Sequence, residues 1–463
     1  MSFERYYESV DFLQRRLWHE LPIVPVERAL QARIRQLLAH FGDPHLTMPV
    51  VHVGGSAGKG STSTIAAAIL RAAVFRTGLY TSPHLQTFIE RIRVGDRLIA
   101  PDEFAETVLG LEPLIRKMHV EVIDGIGFGR PSLVEVAFAA GMKHFGDERV
   151  DAAVVEVGLG GRTDCTNVFE AAPCVTVLTN VDYEHRERLG WTLPAIAREK
   201  AQIIHGGTVV TGARRREALP IIEARAAERD ARLWRLGREV RVRVTHGDAQ
   251  GSVFDLETPT LSLTRLRIPL AGAHQASNAA LAVAAALAFG EMHGRAVEEK
   301  PIREGLAGLR LSGRLEAVQR EPTVLLDSAH NPLEARRLAE ALRTHWLHDG
   351  ARDLTLVIGI LADKDQPAMV RALTGVASRA IVTQPPLGER SGEPDRMLKL
   401  FAAALGGANV AFEPSPDRAL DMALADTPRD GVICVTGSMF LVGALRERWV
   451  PERRILERRS ADL

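Results

Sequence analysis

A glycine-rich segment that contains one lysine constrains the fold of this chain more than any other feature. Residues 54–61 read Gly-Gly-Ser-Ala-Gly-Lys-Gly-Ser, follow the apolar run 49–53, and precede an alanine-rich stretch, 64–73, with helical spacing. A strand, a glycine loop and a helix N-terminus in this order form an anion-binding cradle, because backbone N–H groups and the helix dipole both favour negative charge. The segment therefore predicts an α/β domain that binds nucleotide phosphate.

The loop departs from the usual phosphate-loop pattern, G-x-x-x-x-G-K-[ST], in two places. Val53 stands where the first glycine belongs, and Gly60 separates Lys59 from Ser61. A glycine turn without a ligand would explain the glycines, but not a lysine and a hydroxyl at the mouth of a helix. We expect Lys59 to contact the β- and γ-phosphates and Ser61 to bind Mg²⁺, although a helix N-cap alone would also explain the serine. The residues predicted to contact nucleotide here are Gly55, Gly58, Lys59, Gly60 and Ser61.

Composition and charge exclude several classes of protein. The 463 residues contain 58 Lys and Arg against 58 Asp and Glu, so no basic field for nucleic acid is expected. Three cysteines are too few for a disulfide framework or a zinc site and indicate a reducing compartment. No apolar stretch approaches the ~20 residues of a membrane span, and the N-terminus lacks the apolar region of a signal peptide. The chain is therefore interpreted as cytoplasmic, with neither a nucleic acid nor a membrane as partner.

Alternating strand-like and helix-like segments predict two α/β units. The fold class is α/β, with an N-terminal P-loop-type parallel-sheet ATPase domain plus a C-terminal Rossmann-like α/β domain. The first is expected over 1–300, with a small antiparallel insert near 239–270, and the second over 310–463, after a linker at 298–311. The charged C-terminus, 453–463, is expected to be disordered.

Further motifs follow in a fixed order along the chain. The G-K-G-[ST] form of the loop resembles that of the Mur ligase superfamily, which are ATP-dependent amide-bond synthetases. Residues 81–85, 90–93 and 155–167 resemble the S-P-H-L, E-R-I-R and V-E-V-G-L-G-G-R-L-D-A-T-N segments of its folylpolyglutamate synthase and dihydrofolate synthase branch. Other matching segments are 198–201, 274–278, 312–316, 327–331 and 435–438. This ordered set, which covers nearly the whole chain, predicts membership of that branch.

The resemblance implies an ATP-dependent ligase that adds L-glutamate to dihydropteroate, to tetrahydrofolate and its polyglutamates, or to both. Carboxylate is a poor electrophile, so the γ-phosphoryl group of ATP is first transferred to it, giving an acyl phosphate. An amine then attacks, and ADP and phosphate are the products. The site must hold two anions together, which requires cations and metal ions. We therefore expect ATP, two Mg²⁺ ions, L-glutamate and a folate or dihydropteroate substrate, and a monomeric enzyme.

Several polar residues are candidate metal ligands. Glu156 follows a buried apolar run, and ligands bind at the carboxyl ends of strands in open α/β sheets. The resemblance implies that His185 holds a second metal ion, although a lone histidine is ordinarily a surface or core residue. Glu184 stands where the family has aspartate before this histidine. Ser82 resembles a loop residue close to a metal, and the neighbouring His84 is equally explained by an ordinary Ser-Pro turn.

The resemblance gives Lys200 an unusual role. Helical spacing alone would make it a solvated surface lysine, but the corresponding lysine of the family is carbamylated. N6-carboxylation turns a cation into an anion and would supply oxygen ligands for Mg²⁺. The predicted catalytic residues are Lys59, Glu156, His185 and Lys200, and the predicted metal ligands are Ser61, Ser82, Glu156, His185 and Lys200.

The resemblance also implies a nucleotide site shared between the two units. Asp327 would hold the ribose or orient the nucleotide, Arg314 would reach a phosphate with His330 near it, and Asn278 would contact the base. An ordinary surface ion pair is the alternative for Arg314. ATP would then lie between the domains.

Departures from the family pattern leave the substrate open. Ser56 and Ala57 replace Thr-Asn in the loop, and Thr163 and Cys165 replace Leu and Ala in the later glycine motif. The charged groups remain, so ATP use is expected. The alternatives are a Mur-type ligase for another carboxylate, a P-loop kinase or NTPase, and a nucleotide-binding regulatory module.

Overall fold

A computed structural model describes residues 2–17, 30–123, 127–172, 174–347, 353–391 and 393–461. Its strands are β1 (Val50–Gly54), β2 (Thr77–Tyr80), β3 (Ile92–Val94), β4 (Arg97–Leu98), β5 (Ala152–Glu156), β6 (Cys174–Leu178), β7 (Thr208–Thr211), β8 (Arg232–Arg235), β9 (Arg241–Asp248), β10 (Gly251–Glu257), β11 (Ser262–Ile268), β12 (Glu316–Arg320), β13 (Thr323–Leu326), β14 (Leu354–Ile358), β15 (Arg379–Val382), β16 (Val410–Phe412) and β17 (Val432–Thr436).

The α-helices of the described residues are α1 (Glu4–Asp11), α2 (Leu30–His40), α3 (Lys59–Ala72), α4 (Pro101–Gly110), α5 (Glu112–Ile123), α6 (Leu133–Asp147), α7 (Arg186–Leu189), α8 (Leu193–Ala201), α9 (Leu219–Glu228), α10 (Ala273–Met292), α11 (Glu299–Ala307), α12 (Pro332–His345), α13 (Gln366–Thr374), α14 (Pro394–Leu405), α15 (Pro416–Asp426), α16 (Met439–Arg446) and α17 (Glu452–Arg458). No helix of these ranges is long and apolar enough to cross a bilayer.

The first large sheet has the strand order β4-β3-β2-β5-β1-β6-β7-β8. Strands β2, β5, β1, β6, β7 and β8 run parallel, while β3 and β4 are antiparallel additions at one edge. Every residue of β1, β5 and β6 is buried, because helices cover both faces of the sheet. Helices α3 and α10 pack on one face, where Ile65, Ile69 and Leu281 join one apolar core.

A small antiparallel sheet, with the order β11-β10-β9, lies within the segment 239–270. Its inner face buries Phe254, Leu256 and Leu266 in the same core as α10. Arg241 and Arg243 lie on the outer, exposed face. Alternating apolar and charged residues therefore set its register, as is usual for a sheet with one solvated face.

The second large sheet has the order β12-β13-β17-β14-β15-β16 and is parallel except for the β12–β13 hairpin. Separate apolar cores cover its two faces, one with α12, α13 and α14 and the other with α15 and α16. Both large sheets thus have helices on either side. The predicted α/β class, a P-loop-type parallel-sheet domain followed by a Rossmann-like domain, is confirmed.

The C-terminal segment returns to the first sheet. Val450, Ile455 and Leu456 are buried in the core that also contains α1 and α4 residues. The expected disorder at the C-terminus is wrong as far as residue 461, because α17 buries Ile455 and Leu456 while most of its charged residues face solvent. The prediction of disorder rested on the charged composition of the segment, which does not show the residues distant in sequence that pack against it.

A buried arginine joins the end of α16 to both units. Arg446 is 1% exposed and forms two parallel hydrogen bonds with Glu316, at 2.9 Å each. It also donates to Gln86 Oε1 at 2.6 Å and to the carbonyl of Ala461 at 3.1 Å. Because Gln86 lies in the first unit and Glu316 in the second, this guanidinium holds the two units together.

We expect Arg446→Met to lower the free energy of unfolding by about 3–5 kcal/mol, because it leaves the Glu316 carboxylate without its main partner. The matched control is Arg448→Met, since Arg448 is more exposed and pairs with Asp421 at the surface, where the loss is about 1 kcal/mol or less. Urea unfolding followed by tryptophan fluorescence measures both. Equal unfolding midpoints for the two variants would refute the structural role of Arg446.

Candidate active site

Strand β1 delivers the glycine loop directly to the N-terminus of α3. Gly55 has φ +136°, and a Cβ there would lie 2.0 Å from Thr179 Oγ1, so only glycine fits. Gly58 is the N-cap, with φ +81°. The Asn180 side chain binds both the N–H and the carbonyl of Ala57, at 3.0 and 2.9 Å. Contacts with the end of β6 therefore hold the loop in shape, with the N-terminus of α3 free to receive an anion.

Two lysines meet beneath this loop. Lys59 Nζ and Lys200 Nζ donate to the same carbonyl, that of Gly55, at 3.2 and 3.1 Å. Lys200 is 1% exposed, and its Nζ lies 2.5 Å from Glu184 Oε1. Burial lowers the pKa of Lys200, Glu184 opposes this effect, and Lys59 reinforces it. Burial alone would raise the pKa of Glu184, but Lys200 and Lys59 lower it overall. No local sequence pattern indicated that Glu184 is the partner of Lys200.

Glu156 ends β5, the neighbour of β1, and points at the first turn of α3. Its Oε2 accepts a hydrogen bond from the Ser82 N–H at 3.0 Å, and a Cβ on Gly60 would lie 3.4 Å from the same oxygen. Burial raises the pKa of Glu156, while Lys59 lowers it. A cation bound at this position would stabilise the ionised form of this buried carboxylate. It lies in the same cleft as the hydroxyl groups of Ser61 and Ser82.

The two candidate histidines are placed differently. His185 is the N-cap of α7 and lines the cleft, and burial, helped by Lys364, lowers its pKa to about 4, so the neutral ring is available as a ligand. His84 also lines the cleft, but its Nδ1 accepts from Arg91 Nε at 2.9 Å and its ring lies 4.3 Å from that of Phe88. These contacts favour the ordinary structural explanation for His84.

No preformed cluster of three or more His, Cys, Asp or Glu side chains that could hold a metal occurs among the described residues. The donor set nevertheless suits Mg²⁺, which is commonly bound by one or two carboxylates together with substrate phosphates and water. Glu156 and the hydroxyl of Ser61 lie beside the phosphate loop, as such a site requires. The residues present therefore fit the expected ion.

Residues of the second unit complete the opposite wall. Asp327 follows β13, and its two oxygens accept from the N–H groups of Leu315 and Ala329, both at 3.0 Å. Burial raises the pKa of Asp327 to about 6, against the effect of Arg314. Asn278, on α10 of the first unit, lies so close to the loop that a Cβ on Gly58 would be 2.6 Å from its Oδ1.

The structure brings the predicted residues to two adjoining spaces. The interdomain cleft, about 320 Å³, lies between the large sheets, and the small cavity, about 40 Å³, opens beside it. Predicted residues that line the cleft are Gly58, Lys59, Gly60, Ser61, Ser82, Glu156, His185, Arg314 and His330. Those that line the small cavity are Gly58, Ser61, Asn278, Arg314 and Asp327. Gly55 and Lys200 lie behind the loop and line neither space.

Lys364 and Glu334 are among the charged residues of the cleft to which the sequence analysis assigned no role. Lys364 belongs to an Asp-Lys-Asp sequence, which an ordinary charged surface turn would equally explain. The structure nevertheless places Lys364 in the lining of the cleft. Glu334 lines both spaces, but its spacing from Asn331 is that of a helix-capping residue. The one available signal was that both follow strand ends of the second sheet.

Comparison with known proteins identifies the family. The Mur ligase middle-domain model matches residues 131–286, and the model "Mur ligase, glutamate ligase domain" matches 313–439. A dihydrofolate synthase/folylpolyglutamate synthase of Bacillus subtilis is 31% identical over 90% of this chain and 94% of its own length. The chain belongs to the folylpolyglutamate synthase/dihydrofolate synthase family. It is a ligase of the Mur type, as its motifs predicted.

Solved structures agree with this family membership. Mycobacterium tuberculosis folylpolyglutamate synthase complexed with ADP superimposes with a TM-score of 0.87 at 31% identity, over 96% of this chain and 99% of that one. A folylpolyglutamate synthase–AMPPCP–folate complex gives a TM-score of 0.80 at 31% identity, with the same two coverages. The chain spans half the length of another relative, a probable bifunctional folylpolyglutamate synthase/dihydropteroate synthase of Haloferax volcanii, to which it is 34% identical over 96% of its own residues.

Proposed function

We propose that this protein joins L-glutamate to dihydropteroate, to tetrahydrofolate and its polyglutamates, or to both, with ATP as the energy source. The observation that carries this proposal is the arrangement of one cleft. The phosphate loop with Lys59, the buried Glu156, and Arg314 of the second unit all line it. The relatives' bound ADP, AMPPCP and folate support ATP and a folate as substrates. We further propose a cytoplasmic monomer.

The phosphate loop and two cations would handle the transferred phosphoryl group. Backbone N–H groups at the start of α3 would hold the β- and γ-phosphates. The cation of Lys59 would stabilise the negative charge on the γ-phosphoryl group during its transfer. Arg314 approaches from the opposite wall and would orient the polyphosphate chain. Bound Mg²⁺, held by Ser61, Ser82, Glu156 and His185, would neutralise phosphate oxygens. A kinase or simple NTPase would not require a second α/β unit to complete its nucleotide site.

The carboxylate substrate must lie in line with the γ-phosphoryl group, in the part of the interdomain cleft beyond the loop. Its oxygen attacks phosphorus and the bond to ADP breaks, which gives the acyl phosphate. The uncharged amine of glutamate then attacks the acyl carbon, and phosphate leaves as the amide forms. A cleft enclosed by two units protects the acyl phosphate from hydrolysis by excluding water.

N6-carboxylation of Lys200 belongs to the same proposal. Its neutral amine would attack the carbon of CO₂, form an N–C bond and release one proton, which leaves an anionic carbamate. The burial of Nζ and its closeness to Lys59 both disfavour the ammonium form and so favour this reaction. The carbamate would add oxygen ligands behind the phosphate loop, where an ammonium group would repel a bound dication.

The identity of the acceptor is tested by supplying dihydropteroate and tetrahydrofolate separately, each with ATP, Mg²⁺ and L-glutamate. We expect ADP release that depends on both the pterin substrate and glutamate, and a product heavier by one glutamyl residue in at least one case. Omission of glutamate is the control. ADP release that is independent of glutamate would instead indicate a kinase or an NTPase.

We expect Glu156→Gln to retain ATP binding but to lose activity that depends on Mg²⁺, because the amide keeps the shape of the side chain without its charge. The rate of ADP formation, titrated with Mg²⁺, measures this effect. Glu199→Gln, just before Lys200 on α8, is the control, since Glu199 pairs with Arg162 outside the cleft. An unchanged Mg²⁺ titration for Glu156→Gln would remove Glu156 from the ligand set.

A further inference from the structure

Glu334 is an enclosed carboxylate for which the proposed reaction gives no role. It lies in the first turn of α12, where its N–H donates to the side chain of the N-cap residue Asn331 at 3.0 Å. Its side chain is 13% exposed, and it lines both the interdomain cleft and the small cavity. A residue that only capped a helix would not need to reach two ligand spaces.

The contacts of Glu334 use one oxygen and spare the other. Oε2 accepts from the His330 N–H at 3.1 Å and lies 3.2 Å from His330 Nδ1. In the part of the chain that the structure describes, Oε1 receives no hydrogen bond. Burial would raise the pKa of Glu334, but His330 and Arg314 lower it overall, so the group is an ionised acceptor. Oε1 is therefore available to a ligand donor.

The neighbouring Asp327 is engaged differently. Each of its oxygens already accepts a backbone N–H, from Leu315 or Ala329, so this carboxylate fixes the turns around β13. Glu334 lies near enough to contribute to the raised pKa of Asp327. The small cavity therefore contains two carboxylates, of which Glu334 has the uncommitted oxygen.

The position of the small cavity, next to the phosphate loop, favours the ribose of ATP as the group that enters it. Gly58 and Ser61 of the phosphate loop form part of its wall, and Asn278 forms another part. The portion of ATP that follows the phosphates is the ribose, whose hydroxyl groups are hydrogen-bond donors. Arg314 and Arg337 also line the cavity, and their positive charges stabilise an ionised carboxylate there.

We propose that Glu334 accepts a hydrogen bond from a ribose hydroxyl of ATP and makes the enzyme select ribonucleotides over deoxyribonucleotides. The proposal rests on ATP use under the proposed function. A hydrogen bond to a charged acceptor changes kcat/KM by about 10-fold to 100-fold. Glu334 would thus be a specificity-determining residue of the second unit.

The test compares ATP with 2′-deoxy-ATP and 3′-deoxy-ATP as substrates of the full chain. The rate of release of the corresponding nucleoside diphosphate is measured for each. Wild type is expected to prefer ATP over at least one analogue by about 10-fold or more. In Glu334→Ala, kcat/KM for ATP should fall by a similar factor while that for this analogue stays nearly constant, so the preference disappears. Glu340→Ala, an exposed position on the same helix, should keep the wild-type preference.

Three results would overturn the proposal. The first is equal use of ATP and both deoxy analogues by the wild-type enzyme, which would refute the proposal before any variant is made. A Glu334→Ala variant that loses activity equally on all three nucleotides shows a purely structural role through His330. If this variant does not fold, Glu334→Met replaces it, because methionine keeps much of the side-chain volume but has no oxygen acceptor, and an unchanged preference there counts equally against the proposal. Failure of every nucleotide to support product release would instead refute the proposed function.

Discussion

Replacing Lys59 with alanine is expected to reduce kcat by about 100-fold or more and to leave the fold intact. Lys59 is the cation of the phosphate loop, and its ammonium group is held at the loop by the carbonyl of Gly55. A methyl group in its place cannot stabilise the charge that moves to the leaving ADP. The fold should remain intact, because the carbonyl of Gly55, to which Lys59 donates, also receives a hydrogen bond from Lys200.

Steady-state ADP release and circular dichroism test this expectation together. The control is Lys117→Ala on α5, since the Lys117 side chain is 72% exposed and distant from the cleft lining. It should have wild-type kcat. A Lys59→Ala enzyme with near-normal kcat would contradict the assignment of residues 54–61 as a phosphate-binding loop.

Lys200→Ala is expected to be nearly inactive, and a small carboxylic acid such as acetate is expected to restore part of the activity. The acid would occupy the space of the carbamate and supply oxygen atoms behind the loop. Lys59→Ala is the matched control, because the same acid cannot replace a cation there. Measured rates over a range of acetate concentrations should therefore rise for the first variant and not for the second.

The Lys200 substitution also affects stability, and the experiment must allow for it. Relative to unmodified Lys200, the substitution leaves Glu184 buried without its cationic partner, which costs about 3–5 kcal/mol in such pairs. The double variant Lys200→Ala/Glu184→Gln removes the unpaired charge and keeps the test possible if the single variant unfolds. High activity of Lys200→Ala without added acid, or a folded variant that acid does not restore, would contradict N6-carboxylation.

Local chemistry explains why the phosphate loop and the strand-end carboxylates could be predicted from sequence. Gly55 and Gly58 have positive φ angles and close contacts that other residues would not tolerate, so the glycine pattern reflects the shape of the loop. Glu156 and Asp327 directly end or follow apolar runs, and the carboxyl ends of parallel strands meet at one edge.

Features that depend on distant partners were not visible in the sequence. Lys200 and Glu184 are each typical surface residues by local pattern, and only the packing of α8 behind the loop buries them as a pair. The segment 453–461 has a charged composition, yet Ile455 and Leu456 pack against the first unit. Glu334 has the spacing of a capping residue, which hides its position at the small cavity.

The proposed function depends on activation of a carboxylate by phosphoryl transfer from ATP. The decisive experiment uses a pterin substrate whose reacting carboxylate carries a heavy oxygen isotope, incubated with ATP, Mg²⁺ and L-glutamate. We expect ADP as the nucleotide product and one heavy oxygen in each phosphate released, because a substrate oxygen bridges the acyl carbon and phosphorus in the acyl phosphate. Unlabelled phosphate, or AMP and pyrophosphate as products, would contradict it.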